Sequence, residues 1–137
     1  AKIWDKNPAA GPTPAGDTYT GAPFKVNREY AERFGDRWVI LSAKYGFIDP
    51  DFIIPGPYNV TFKRKSPELV TVNKLRSQVR QLELNRFGRI IGLGGSEYRA
   101  MIQAAFDGVP AILEFPFAGL PIGRAMAAVK TAVRQQQ

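Results

Sequence analysis

Two hydrophobic rhythms alternate along the chain. From Ala22 to Phe34 (APFKVNREYAERF), Phe24, Tyr30 and Phe34 lie near one helical face, Val26 and Ala31 adjoin it, and Gly35 is a stop signal. Trp38 to Ser42 (WVILS) is an apolar run that predicts a short buried strand. Residues 46–60 hold three prolines and two glycines, which argues against a regular element across them. Ser66-Pro67-Glu68 reads as a helix start: an N-cap serine, a proline at the first helical position, then an acid favoured by the dipole. Val72, Leu75, Val79 and Leu82 carry that helix through about Leu84. Arg89 to Leu93 (RIIGL) predicts a second strand. Gly94-Gly95-Ser96 ends it, with Ser96 as cap of a helix carrying Tyr98, Met101, Ile102, Ala105 and Phe106. Ala111 to Phe115 (AILEF) predicts a third strand, and the loop PFAGLP leads to a last helix with Ile122, Met126, Val129 and Val133 as its apolar stripe. Residues 1–20, rich in Pro, Gly and Ala, read as an irregular N-terminal loop. Either Trp4 packs on the domain or a strand ahead of it is missing from this chain. The end, 135–137, is expected to fray.

Strands that alternate with helices predict a single α/β domain spanning 1–137, with a three-layer, mostly parallel sheet and right-handed crossover helices. In such sheets ligands bind outside the carboxyl ends of the strands. Each strand here ends in an unusual loop. The first ends in Ser42-Ala43-Lys44-Tyr45-Gly46 and the second in Gly94-Gly95-Ser96. The third ends in Glu114-Phe115-Pro116 and runs on to Gly119 and Gly123. Their convergence on one edge predicts a pocket there.

Composition narrows the chemistry. There is no cysteine and no histidine, so thiolate nucleophiles, Ser-His-Asp triads and His- or Cys-ligated metals are excluded. No acidic cluster announces an oxygen-only metal site, and no cofactor is expected. No run approaches the ~18 apolar residues of a membrane span, and AKIWDKNP carries Asp5 and Pro8 where a signal peptide would be apolar. A cytoplasmic protein is expected. The balance of 19 Lys+Arg against 12 Asp+Glu gives a net charge of +7, which suits either an anionic partner or plain solubility.

Several residues stand out within this frame. Lys44 either rides out to solvent or presents a cation to an anion. Tyr45 stacks on a ring or covers the core. Asp49-Pro50-Asp51 reads as an Asx-type turn or as the carrier of an acid–base carboxylate, Asp51. Glu114, inside an apolar strand, is the most conspicuous acid; if buried it needs a partner such as Lys44, Arg124 or a ligand, and otherwise it faces water. Gly94-Gly95-Ser96 is a tight turn or a phosphate cradle, but it is neither GxGxxG nor a P-loop. Tyr58 follows a stiff Pro/Gly segment. Asp17, Tyr19 and Lys25 surround the first helix start. Lys63, Arg64 and Lys65 form the one tight basic cluster, and Arg76, Arg80, Arg86 and Arg89 follow at roughly helical spacing.

The stretch DTYTGAPFKVNREYAERFGDRWVILSAKYGFIDPDFIIPGPYNVTF resembles a bacterial and phage family of uncharacterised domains. Asp17, Tyr19, Phe24, Tyr30 and Ala31 match its first block. Trp38, Ile40, Leu41, Ser42, Ala43, Lys44, Tyr45, Gly46, Pro50 and Asp51 match the second, and Ile54, Pro57, Tyr58 and Thr61 the third. The segment FPFAGLPIGRAMAAVK resembles the family's C-terminal block, with Pro121 in place of a glycine and Val129 in an aromatic slot. Part of the pattern is also similar to the YaaA peroxide-stress proteins and, more distantly, to a domain of archaeosine synthases. Those resemblances imply nucleic-acid association and a fold related to uracil-DNA glycosylases. The family opens on a strand, which the resemblance implies is absent ahead of Ala1-Lys2 here.

Three functions follow as expectations. In the first, a nucleobase or nucleotide binds at the strand ends, in base modification or glycosidic chemistry. Ser42, Lys44, Tyr45, Gly46, Tyr58, Asp17 and Tyr19 would surround it, and Glu114 or Asp51 would serve as acid–base group. In the second, the chain is a non-catalytic nucleic-acid-binding or stress-response module, with Lys63, Arg64, Lys65, Arg76 and Arg80 neutralising phosphates. In the third, an enzyme acts on a small phosphorylated metabolite held by the glycine turn.

Overall fold

A computed structural model describes residues 12–19, 22–56, 58 and 60–135 of the chain, which form a mixed α/β fold. Strand β1 (Thr13–Pro14) leads into a single helical turn, α1 (Ala15–Thr18), and helix α2 spans Ala22–Phe34. Strands β2 (Ile40–Ser42) and β3 (Gly46–Ile48) form an antiparallel hairpin, and β4 (Ile53–Ile54) pairs antiparallel with β1. Helix α3 (Val72–Gln81) and a 3₁₀ turn (Leu84–Arg86) precede β5 (Arg89–Ile91), α4 (Ser96–Ala105), β6 (Ile112–Glu114) and α5 (Ile122–Gln135). Strands β5 and β6 are parallel, joined by α4 as a βαβ crossover. Among the described residues no helix is long and apolar enough to cross a membrane.

Buried side chains form two clusters. One gathers Ala15, Tyr19, Ile40, Ile48, Ile54 and Tyr58 around α1, the hairpin and β4. The other gathers Leu75, Val79, Leu84, Ile102, Ala105 and Phe106 between α3 and α4, with Phe47 joining it from β3. Thus the hairpin has one face in each cluster, which follows from the period of two in a strand.

Several expectations change. The mostly parallel sheet holds only for β5 and β6: β2 turns back on β3, and the described strands form separate two-stranded ladders. The reversal has a local cause. Ser42 Oγ accepts from the backbone N–H groups of Lys44 at 3.2 Å and Tyr45 at 3.1 Å, which curls the chain. Gly46 then re-enters the ladder at φ +77°, a region that disfavours other residues. Residues 46–60 therefore contain β3 and β4, because strands of two or three residues fit between the breakers. The N-terminal loop likewise gives way to β1 and α1 at Thr13–Thr18, where Ala15 N–H and Gly16 N–H donate to Phe52 O and Pro50 O. The helix expected from Ser66 begins at Val72 instead, capped by Thr71, whose Oγ1 accepts from Lys74 N–H. Ser66 does bond Glu68 N–H, but Val70 N–H donates to Ala43 O and its side chain is buried, which holds the chain out of the helix there. Ser96 is the first residue of α4 and not its cap; Gly95 occupies that position with no side-chain bond. The expectations for Trp4, for the rest of residues 1–11, for a strand ahead of Ala1 and for residues 136–137 lie outside the described residues, as does the match at Pro57.

Candidate functional site

The turn after β2 carries a buried chain of hydroxyls. Ser42 is fully buried, and Tyr19 and Tyr58 are nearly so. Ser42 Oγ lies 2.7 Å from Tyr58 Oη, and Tyr58 Oη lies 2.7 Å from Tyr19 Oη. The two backbone N–H groups of the turn already occupy both lone pairs of Ser42. Its single proton is therefore donated to Tyr58, which fixes the direction of the chain at its inner end. Burial raises the pKa of both phenols above the ordinary tyrosine value, since a phenolate there would lose its hydration. The network stays neutral at physiological pH.

Lys44 closes the outer side. Its Nζ stands 5.5 Å from the ring centroid of Tyr45 and 5.7 Å from that of Tyr58, within cation–π range. The two rings meet edge to face at 5.6 Å. Glu68, on the turn before α3, reaches the ammonium at 3.6 Å. Phe52 packs on the far side of Tyr45.

Gln78 of α3 sets the turn itself. Its Oε1 accepts from Phe47 N–H and its Nε2 donates to Tyr45 O, each at 2.9 Å. A Cβ on Gly46 would stand 2.1 Å from Gln78 Oε1. Gly46, expected as a ligand residue, thus serves this clamp and the left-handed turn. Gln78 was missed in the sequence; the signal was a polar residue beside Leu75 and Val79 on the apolar face of α3.

The end of β5 approaches the same cluster. Tyr98, in the first turns of α4, has a pKa pushed up to about 12, first by burial and then by the neighbouring Tyr19 and Glu97. Gly94 sits beneath the Tyr98 ring, where a Cβ would stand 3.2 Å from Tyr98 Cβ. Phe24 of α2 stacks on Tyr19 at 5.1 Å. Phe24 and Tyr98 both line a cleft of about 570 Å³, with Trp38, Gly94, Gly95 and Lys63 also on its wall. Arg28 lies over the Trp38 ring at 5.4 Å. So Ser42, Tyr58 and Tyr19 form one hydrogen-bonded chain behind Phe24, and Phe24 and Tyr98 reach the cleft, whose wall mixes aromatic, aliphatic and glycine residues.

Other expected residues sit elsewhere. Glu114 is half-exposed, and its carboxylate is forked to Arg89 by two hydrogen bonds of 2.8 Å; neither Lys44 nor Arg124 is its partner. The Arg89 guanidinium holds the carboxyl below its ordinary range, so Glu114 stays ionised and is a poor proton donor. Asp51 is exposed in a β-turn closed by Phe52 N–H to Asp49 O at 3.0 Å. Asp49 itself pairs with Arg37. Asp17 is exposed and pairs with Arg28. Over the glycine turn, Glu97 Oε2 lies 3.3 Å from where a Gly95 Cβ would be, and Arg99 donates to Gly94 O. Gly119 and Gly123 face open space, and no hydrogen bond or ion pair ties them to Lys44 or Ser42; the same loop's Phe117 packs against Tyr30 of α2. Arg76 is occupied by Asp107 and Ala104 O, linking α3 to the end of α4. Arg86 pairs with Glu83. Lys63, Arg64, Lys65 and Arg80 are exposed, and among the described residues none has an acidic partner. Among the described residues no group of three or more acidic side chains gathers to hold a metal ion.

The pattern of a family described as a family of unknown function, DUF6884, matches residues 5–131. A Bacillus subtilis protein named Uncharacterized protein YfjM is 37% identical over 136 residues, which cover 98% of this chain and 90% of that protein. No solved structure shows a significant match.

Proposed function

This chain belongs to the DUF6884 family, and from that premise we propose that it binds a nucleobase or nucleotide where β2 and β5 end. The observation that carries the reading is a cleft with Phe24, Trp38 and Tyr98 on its wall, backed through the Phe24–Tyr19 ring contact by the buried hydroxyls of Tyr19, Tyr58 and Ser42. A planar ring suits aromatic walls, and the hydroxyl network behind them holds Tyr19, and with it Phe24, in place. Lys63 brings positive charge to the cleft wall and Lys44 brings it to the hairpin turn beside Tyr58, in a chain with net charge +7. Base modification or glycosidic chemistry, a three-layer core related to uracil-DNA glycosylases, kinship with YaaA peroxide-stress proteins and residence in the cytoplasm belong to this proposal as its further parts. A thermal-shift screen of nucleobases, nucleotides and oligonucleotides tests it, since a ligand that binds the folded state raises the melting temperature by mass action. A rise with nucleotides that is lost in Tyr45→Ala supports the reading. A flat response across the screen overturns it.

A second reading, a non-catalytic nucleic-acid-binding module, is favoured by one observation: Lys63, Arg64, Lys65 and Arg80 are exposed cations with no acidic partner among the described residues. It requires a steep salt dependence of oligonucleotide affinity, lost on neutralising Lys63–Lys65 and untouched by Lys44→Ala.

A further inference from the structure

Lys44 offers more donor capacity than the fold uses. An ammonium carries three N–H donors, and among the described residues Glu68 Oε1 at 3.6 Å is its one ionic partner. Tyr45 and Tyr58, at 89° to one another, wall the ammonium on two sides and so fix where it points. Glu68, which pairs with it, has a side chain 60% exposed against 30% for Lys44. An ion pair that exposed is weak and exchanges readily. The turn beneath Glu68 is nonetheless tied to Lys44's own hairpin by Val70 N–H donating to Ala43 O at 2.8 Å, and it is closed on itself by Leu69 N–H donating to Ser66 O at 3.1 Å. The carboxylate is thus delivered to Lys44 by a fixed backbone and a loose side chain. The glycine turn before α4 is a weaker place for an anion, since Glu97 already lies over it and Arg99 takes the Gly94 carbonyl.

We infer that Lys44 is the subsite for the phosphate monoester of a nucleotide, and that Glu68 is its resident competitor in the free protein. The inference rests on the proposed nucleotide binding and adds which group of the ligand Lys44 receives. A phosphate monoester carries about −1.5 to −2 charge at neutral pH, against a single charge on Glu68, so the phosphate displaces the carboxylate. The ammonium keeps its aromatic walls during the exchange, and the side chain of Glu68 swings to solvent.

The test compares the wild-type protein, Glu68→Gln and Lys44→Met. Adenosine 5′-monophosphate and adenosine are titrated calorimetrically, and inorganic phosphate is titrated while the lysine ε-methylene signals are followed by NMR in ¹³C-lysine-labelled protein. Lys44→Met identifies the Lys44 signal. In Glu68→Gln, monophosphate affinity should rise roughly two- to five-fold, the range set by removing one exposed ion pair, while adenosine affinity stays unchanged. The Lys44 signal should move at correspondingly lower phosphate concentration. In Lys44→Met the advantage of monophosphate over adenosine should vanish. A Lys44 signal that ignores phosphate in both proteins, or a monophosphate affinity unchanged by Glu68→Gln, overturns the inference. The two proposals fail separately. Phosphate that moves Lys44 while neither adenosine nor its monophosphate binds more tightly than phosphate sinks the nucleotide reading and leaves the anion subsite standing. Adenosine and its monophosphate binding equally, with a still Lys44 signal, does the reverse.

Discussion

The two buried clusters are close in size and opposite in chemistry. Between α3 and α4, Leu75, Val79, Ile102 and Phe106 are packed without a single buried polar side chain among them. Around α1 and the hairpin, Tyr19 and Tyr58 are just as buried, and with Ser42 they line up three hydroxyls. Apolar burial stabilises directly. A buried hydroxyl has to recover its lost hydration through hydrogen bonds, so the second cluster stabilises less for the same volume. Every hydroxyl in it is partnered, and no buried side-chain polar atom among the described residues lacks a bond. The difference separates a region held by apolar packing alone from one whose packing also depends on a closed set of buried hydrogen bonds.

The sharpest way to test that contrast is to truncate each cluster. Leu75→Ala should have the largest effect on stability, about 2–5 kcal/mol by urea denaturation, and should leave ligand responses intact. Tyr58→Phe removes the central hydroxyl and strands the Ser42 donor; about 1–3 kcal/mol should be lost, together with ligand response. The same region carries an alkaline signature. Tyr19, Tyr58 and Tyr98 have pKa values raised above 10.0 in the folded protein, so the stability from burying neutral phenols is complete below that pH. It is lost as pH rises through the folded values, up to about 12 for Tyr98. Stability against pH should therefore fall steeply from pH 10 in wild type and less steeply in Tyr58→Phe. Gln78→Ala, which releases the clamp on the hairpin, should cost about 1–2 kcal/mol; Gln78→Glu should keep the Phe47 bond and lose the one to Tyr45 O. Arg89→Ala belongs to neither cluster and should shift the melting temperature least. Because Arg89 depresses the Glu114 pKa, the small loss should be present at neutral pH. It should disappear as pH falls through the folded pKa of Glu114, where wild type has lost the pairing too.

Helices α2, α4 and α5 and strands β5 and β6 were legible in the sequence because their apolar spacing is set by the same faces they bury. The hairpin was not. Its reversal depends on a serine hydroxyl taking two backbone N–H groups and on a glutamine from thirty-one residues away, which no local pattern encodes. Ser66-Pro67-Glu68 has a valid cap signature, and Ser66 does make a capping-type bond; a long-range backbone bond from Val70 to Ala43 overrides it. The site was legible in part. Ser42, Lys44, Tyr45, Tyr58 and Tyr19 stood out as polar or aromatic groups at a strand end, and the structure brings them together. Glu114 stood out for the same kind of reason, but strand periodicity alone does not reveal that Arg89 lies across the ladder beside it.

The nucleotide-induced rise in melting temperature, measured side by side in Leu75→Ala and Tyr58→Phe, tests the contrast between the two clusters most directly. The rise should survive in Leu75→Ala despite its lower starting stability and be absent in Tyr58→Phe. An undiminished rise in Tyr58→Phe would contradict it, since the buried hydroxyls would then serve the fold and nothing else.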